Sequence, residues 1–537
     1  MKKPGITPIY SRIGRAGRAG SPRRAKEERA SGRTFQVWAT THRAWLITVA
    51  IGRGVGSNWC SVYNTTMKFD AIVVGSGPNG LAAAIEMARA RWSVCVLEAR
   101  DTTGGGARSA KLTLPGFTHD VCSAIHPLAV ASPFFNNLPL AKHGLQWIYP
   151  PIALAHPFDD GTAAMLEASI ERTGSTLGID EHAWAKVFAP LVRNAGKLIP
   201  EILGPLAHLP RHPLAMMRFG MKAIQSAEGF IKRHFKGSRA GALFAGIAAH
   251  ASMPLDRQPT AAAGLLLGML GHVSGWPIPK GGSQKISDAL TSYFTSLGGR
   301  VVTGMHVDSL RDLDARVILL DITPQQVLTL AGDQFPPSYR WELHKYQYGP
   351  GVFKMDWALN SPIPWKAKAC RRAGTVHIGG SVEEIALGEQ TVEKQRCPEK
   401  PFVLLAQQSL FDPSRAPQDK HTAWAYCHVP RGSTIDMTER IESQIERFAP
   451  GFRDCILARH MMTPAQFETY NPNYIGGDIT GGLQSLYQTI ARPALRVNPY
   501  STPLKNLFIC SSSTPPTGGV HGMCGYHAAR AALKMFR

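Results

Sequence analysis

The chain has 537 residues, 44% hydrophobic and 18% charged, with 52 glycines, which exceeds one ordinary domain and excludes a chiefly disordered, collagen-like or fibrous protein. Its net charge is +21, from 59 Lys and Arg against 38 Asp and Glu, but no recognised nucleic-acid module accompanies that charge, so no nucleic-acid partner is expected.

Residues 1–66 carry twelve Lys and Arg against two Glu. Their apolar run, Ala44 to Ile51, follows a lengthy basic region and fits a secretory signal poorly. Two readings stay open: an Arg-rich, acid-poor mitochondrial presequence, or a basic extension ahead of Met67, expected to be disordered. The second is favoured, giving a cytoplasmic protein with contact to a membrane surface; the first would place it in mitochondria.

From Lys68 the pattern sharpens. Phe69 to Val74 reads as a short buried strand, Gly75-Ser76-Gly77-Pro78-Asn79-Gly80 as a turn, and the Ala-rich segment to Arg91 as a helix. A second strand, Ser93 to Leu97, ends in Glu98. This is a G-x-G-x-x-G turn between strand and helix with an acid after the next strand, the arrangement of a dinucleotide site. Gly75 permits the tight turn, Gly77 lets a pyrophosphate approach the backbone, and Gly80 lets helix and strand pack closely. Pro78 and Asn79 open the helix, whose N–H groups face the phosphates. Glu98 can accept from ribose hydroxyls.

A second glycine cluster follows that acid: Ala99, Arg100, then Gly104, Gly105, Gly106 and Ser109. Here the sequence resembles the flavoprotein superfamily of amine oxidases and phytoene desaturases, in which an acid is followed by R-x-x-x-G-G-R-x-x-[ST]. Arg100, Gly104, Gly105 and Ser109 match, while Gly106 replaces the second arginine. The resemblance implies FAD, with the glycines passing under it. It continues through Gly281-Gly282-Ser283, the helix Lys285 to Leu297 and the strand around Val301, with Val307 implied to pair through its backbone with the adenine end. Near the C-terminus, Asn506 to Cys510 reads as a strand, and Gly519, Val520 and His521 open the last helix at the implied flavin face. Ser511-Ser512-Ser513 stands where many relatives have Gly-Asp, so Ser512 is the residue there. The likeness runs from about 68 to 537 and is nearest to the phytoene-dehydrogenase-related group that includes pyridine nucleotide-disulfide oxidoreductase domain-containing protein 2.

Residues 151–270 read as helical, with an apolar and basic stretch from Met216 to Lys236 that is either a membrane-resting face or a core stripe with a solvated edge. The longest apolar run, Ala261 to Leu270, is broken by Gly264 and Gly268 and falls short of the ~18 residues of a spanning helix. Residues 331–480 alternate apolar and polar positions, suggesting a sheet. On it Lys354 and Asp356 share one face, either paired near the flavin or exposed to solvent. His126 and His521 are the histidines nearest the cofactor motifs and join that pair as acid–base candidates. Nine cysteines without a C-x-x-C spacing exclude a disulfide framework and a zinc site, fit a reducing compartment, and lead us to expect no metal.

The expected fold is α/β: a Rossmann-type FAD domain assembled from 67–150, 271–330 and 490–537, and a mixed α+β substrate domain from 151–270 and 331–489. The resemblance implies an FAD-dependent oxidoreductase taking hydride from a C–H bond of an apolar, carotenoid- or lipid-like substrate. An FAD-stabilised binding or assembly protein is the rival reading.

Overall fold

The computed structural model describes residues 68–205 and 209–536, so the basic extension at 1–66 lies outside the described residues. The chain begins with β1 (Phe69–Val74), α1 (Pro78–Arg89) and β2 (Val94–Leu97). Two strands follow, β3 (Ile152–Pro157) and β4 (Ala163–Leu166), and then the helices α2 (Glu181–Arg193), α3 (Pro213–Ala223), α4 (Ala227–His234), α5 (Ser238–Ala248), α6 (Ala261–Val273) and α7 (Gln284–Ser296). Next come β5 (Arg300–Val302), β6 (Ala315–Leu320), β7 (Gly351–Leu359), β8 (Ala373–Ile378), α8 (Val382–Glu393), β9 (Val403–Ala406) and β10 (His421–Val429). The principal elements end with α9 (Thr438–Phe448), β11 (Ile456–Met462), β12 (Leu507–Ile509) and α10 (Met523–Phe536).

Two large sheets organise these elements. The first is five-stranded and parallel, in the order β12-β6-β1-β2-β5. Its central strands close on continuous apolar runs at 71–74, 94–97 and 317–320, as a parallel sheet covered on both faces requires. Ile72 stands between Ile318 and Cys95 in register. Helix α1 packs on one face against α7 and α10, and Ile72, Val74, Ile318 and Leu320 bury the other against Val327, Phe335 and Leu343.

The second sheet has seven strands in the order β11-β7-β10-β9-β8-β3-β4, antiparallel except where β3 runs parallel to β8. Here period two decides which residue faces where. Phe353, Met355 and Trp357 of β7 pack with Ile441, Ile445 and Phe448 of α9 on one side. Val352, Leu404, Trp424 and Tyr426 join the core on the other side, toward α5 and α6.

The helical expectation for 151–270 is corrected at its start, where β3 and β4 stand. Ile152 to Pro157 is wholly buried and apolar but for His156, and such a run gives little periodicity by which a strand differs from a helix. Helix α6 packs through its glycines: a Cβ on Gly268 would lie 2.6 Å from the Phe188 ring, and one on Gly264 2.6 Å from Phe244. Among the described residues no helix is long and apolar enough to cross a membrane, and every described cysteine is free.

Candidate functional site

At the C-terminal edge of the parallel sheet, β1 passes into α1 through the glycine turn. Gly75 has φ +97°, a conformation glycine adopts without a Cβ clash. A Cβ on Gly80 would strike the carbonyl oxygen of Gly75, so helix and turn meet only because that position is glycine. Gly77 is the extended N-cap of α1 and has no side chain of its own to cap it. The start of α1 borders a cavity through Pro78 and Asn79 and turns the positive end of the helix dipole toward it.

Glu98, at the end of β2, is buried and held from several directions. Its carboxylate accepts from the Ser76 N–H at 3.0 Å, the Ser76 hydroxyl at 2.5 Å and the Arg100 N–H at 2.9 Å. The buried Arg108 guanidinium pairs with it at 3.1 Å and donates to the Thr102 carbonyl at 2.6 Å. Arg100 itself donates to the Thr469 and Tyr470 carbonyls, tying this loop to the far side of the cavity.

A cavity of about 950 Å³ runs along these residues, the size range of small-molecule and cofactor sites. It is lined at one end by Gly75, Gly77, Pro78, Asn79, Glu98 and its neighbours Ala99 and Arg100. Gly105, Gly106, His126, Val307 and Ser512 also border it, as do Gly519, Val520 and His521 ahead of α10. Three expected contacts stand behind the wall. Gly80 packs under the turn, Gly104 donates its N–H to the Ser76 carbonyl at 3.1 Å, and the Ser109 hydroxyl donates to Asp120 at 2.7 Å. A Cβ on Gly106 would come within 2.5 Å of the Tyr474 hydroxyl; that tyrosine fills the space an arginine would need.

The acid–base candidates separate clearly. His521 is saturated: its Nδ1 accepts the Met523 N–H at 3.0 Å, so its Nε2–H donates to the Thr517 carbonyl at 3.0 Å. Burial pushes it down to about 4, and the neutral ring fastens the turn into α10. His126 differs. The Ser283 hydroxyl donates to the Ser123 carbonyl at 2.7 Å and accepts from His126 Nε2 at 2.8 Å, leaving Nδ1 without a protein partner. Burial lowers it to about 4 as well, so it offers a neutral acceptor at the cavity wall.

Lys354 and Asp356 do share a face of β7 and pair directly, but both are at most 1% exposed, which corrects the solvent-face alternative. The pair lies outside the cavity lining. Asp356 also faces His119 at 3.6 Å and His460 at 3.3 Å, a buried polar knot in the sheet. The exposed reading failed because β7 is an interior strand between β10 and β11, which alternation alone does not reveal.

One residue escaped the sequence reading. Asp321, directly after β6, is buried against the glycine turn. Its Oδ2 accepts the Gly80 N–H at 2.9 Å and would lie 2.6 Å from a Cβ on Gly77. Burial pushes its pKa well above the ordinary carboxylate value, and its carboxyl stands at the phosphate seat. The signal was present: the run Arg316 to Leu320 closing on an acid repeats the pattern of β2 and Glu98.

Comparison with known proteins agrees with this geometry. The NAD(P)-binding Rossmann-like domain family matches residues 73–138. Pyridine nucleotide-disulfide oxidoreductase domain-containing protein 2 of Rattus norvegicus is 24% identical over 573 residues, covering 89% of this chain and 95% of the relative. A limonene dehydrogenase polypeptide of Castellaniella defragrans is 20% identical, covering 87% of this chain and 94% of its own length. The fold matches cyclohexylamine oxidase from Brevibacterium oxydans with a TM-score of 0.57 at 15% identity, over 88% of this chain and all of that one. These likenesses and the glycine turn together make the chain a Rossmann-domain oxidoreductase, homologous over most of its length to pyridine nucleotide-disulfide oxidoreductase domain-containing protein 2 and sharing the fold of the amine oxidases.

Proposed function

We propose that the protein binds FAD and oxidises a C–H bond of an apolar, carotenoid- or lipid-like substrate. The observation that carries this reading is the continuity of one cavity: it passes from the glycine turn and Glu98 to a wall built by Met216, Phe219, Ala262, Leu266 and Leu267. The residues present fit the cofactor. The glycine turn and the positive end of the α1 dipole suit a pyrophosphate, and Glu98 suits a ribose. Bound FAD would supply a hydride acceptor at N5.

The protein's own part is binding, orientation and exclusion of water. Helix α3 serves two surfaces. Met216, Phe219, Gly220 and Ala223 line the cavity, whereas Leu214, Met217 and Met221 are more than half exposed, with the exposed Arg211 and Arg218 close by in sequence. An apolar edge with basic neighbours suits a peripheral contact with an anionic lipid surface from which such a substrate would enter. Relatives named for a limonene dehydrogenase and for amine oxidases support oxidation of a C–H bond without deciding between their substrates.

The purified protein is expected to be yellow and to release FAD rather than FMN. Anaerobic addition of an apolar polyene should bleach the flavin band, while NADPH alone should do so slowly. Rapid stoichiometric bleaching by NADPH would overturn the direction proposed. Normal FAD content with no reduction by any lipid or amine donor would favour the binding-protein reading.

A further inference from the structure

A second constellation lies on the cavity away from the glycine turn. Ser252 follows the short turn Ala249–Ala251 after α5 and holds φ 51° and ψ 44°. A serine in this left-handed region is uncommon, and such backbone strain collects at functional positions. Its hydroxyl lies 3.3 Å from Nε2 of His428, whose Nδ1 lies 2.9 Å from both carboxylate oxygens of Glu389. The three come from separate elements: the turn after α5, strand β10 and helix α8.

The arrangement assigns roles. Two carboxylate oxygens facing Nδ1 make that nitrogen the N–H donor, so Nε2 presents its lone pair to the serine. This is the nucleophile, base and orienting-acid geometry of covalent catalysis, where the first contact is often loose before substrate binds. Ser252 lines the cavity, and the His428 and Glu389 side chains are at most 3% exposed. The other groups facing the imidazole are His250, which burial keeps neutral with a pKa of about 4, and the Tyr426 ring at 5.8 Å. Thr375 Oγ1 and Trp424 Nε1 belong to buried residues of the same cavity wall and have no hydrogen-bond partner within the protein, which leaves an O–H and an N–H for an ester oxygen to meet.

We propose that Ser252 is an activated nucleophile that accepts the acyl group of an apolar ester entering this cavity, an acyl-transfer activity separate from the redox chemistry. The Oγ–carbonyl carbon bond forms as the bond to the leaving alkoxide breaks. The serine proton passes to His428 Nε2 and from there to the alkoxide. Water then cleaves the acyl-serine by the same route, with no change of oxidation state. Glu389 is a positioning residue, holding the ring and its tautomer.

The full-length protein is treated with an alkyl fluorophosphonate, and the modified residue is mapped by mass spectrometry. Ser252 should be labelled, at a rate that falls about 100-fold in His428→Gln, the scale of a general base's contribution. The acid limb of the rate against pH should move lower in Glu389→Gln, because the imidazolium loses its carboxylate partner. An unlabelled Ser252 in the folded protein overturns the proposal. So does undiminished labelling in a His428→Gln variant with native melting temperature. Should that variant not fold, an unchanged pH profile in Glu389→Gln is decisive against it. Neither flavin nor an electron donor enters the readout, so failure here leaves the FAD reading standing.

Discussion

At Asp321 a single carboxyl decides how the glycine turn responds to pH. Burial raises its pKa in the folded chain, so the folded state keeps a proton that the unfolded state releases. Stability is then full below the ordinary carboxylate range and falls as pH rises through the raised folded value. Asp321→Asn keeps an acceptor for the Gly80 N–H and removes the titration; it should raise the urea midpoint at pH 7 and flatten its decline with pH. An unaltered slope would show that another group sets it. The cofactor contacts are tested one side chain at a time. Glu98→Ala should weaken FAD binding by about 1–3 kcal/mol, the loss typical of hydrogen bonds to a charged group. Gly77→Val should abolish binding, since even a Cβ there would lie 2.6 Å from Asp321 Oδ2; both are read by flavin fluorescence on titration. The turn and Glu98 were legible from the sequence because their spacing is local. Asp321 reaches Gly80 across 241 positions; the strand that ends in it is a local pattern, but its partner is not.

Among the elements, α3 shows how one helix divides its work. Its sequence left open a membrane face or a core stripe, and the structure gives it one buried and one exposed apolar surface: Phe219 and Ala223 are buried while Leu214, Met217 and Met221 are exposed. The double substitution Met217→Glu/Met221→Glu should leave the protein within about 1 kcal/mol of native stability, as exposed positions generally do. It should also remove most co-sedimentation with anionic phospholipid vesicles. Equal sedimentation of native and variant protein would end the membrane role of this helix. Strand β7 carries the opposite lesson. Its alternation marked Lys354 and Asp356 as one face, but only the pairing with β10 and β11 shows that the face is interior.

Across the whole molecule, the buried Arg415 joins distant segments. It pairs with Asp120 at 2.7 Å and Asp412 at 3.2 Å, all three side chains 0% exposed, and Asp120 in turn accepts the Ser283 N–H at 2.7 Å ahead of α7. Burial alone would raise Asp120, but the guanidinium and the hydrogen bonds outweigh it and hold its pKa below the usual value. That stability is present above the unfolded carboxylate value and is lost as pH falls through the folded one. Arg415→Leu should therefore cost about 3–5 kcal/mol near neutrality, the scale for stranding a buried charge. The deficit should shrink toward pH 4 as the stranded Asp120 takes up a proton, which urea unfolding at the two pH values will show.

What the sequence by itself determined is the chemistry of short stretches. The strand at 69–74, the turn that only glycine can make, the acid after the next strand and the final helix are each set by neighbours within about one strand–helix unit, where backbone sterics and apolar runs act locally. Tertiary structure decided the rest. The placement of β3 and β4 in the second sheet, the burial of the Asp321 carboxyl under the turn, the engagement of both His521 nitrogens and the meeting of Ser252, His428 and Glu389 all depend on how the chain is folded around them. Burial and the direction of a hydrogen bond are properties of what a side chain is folded against, and a sequence carries those partners without saying which of them will meet.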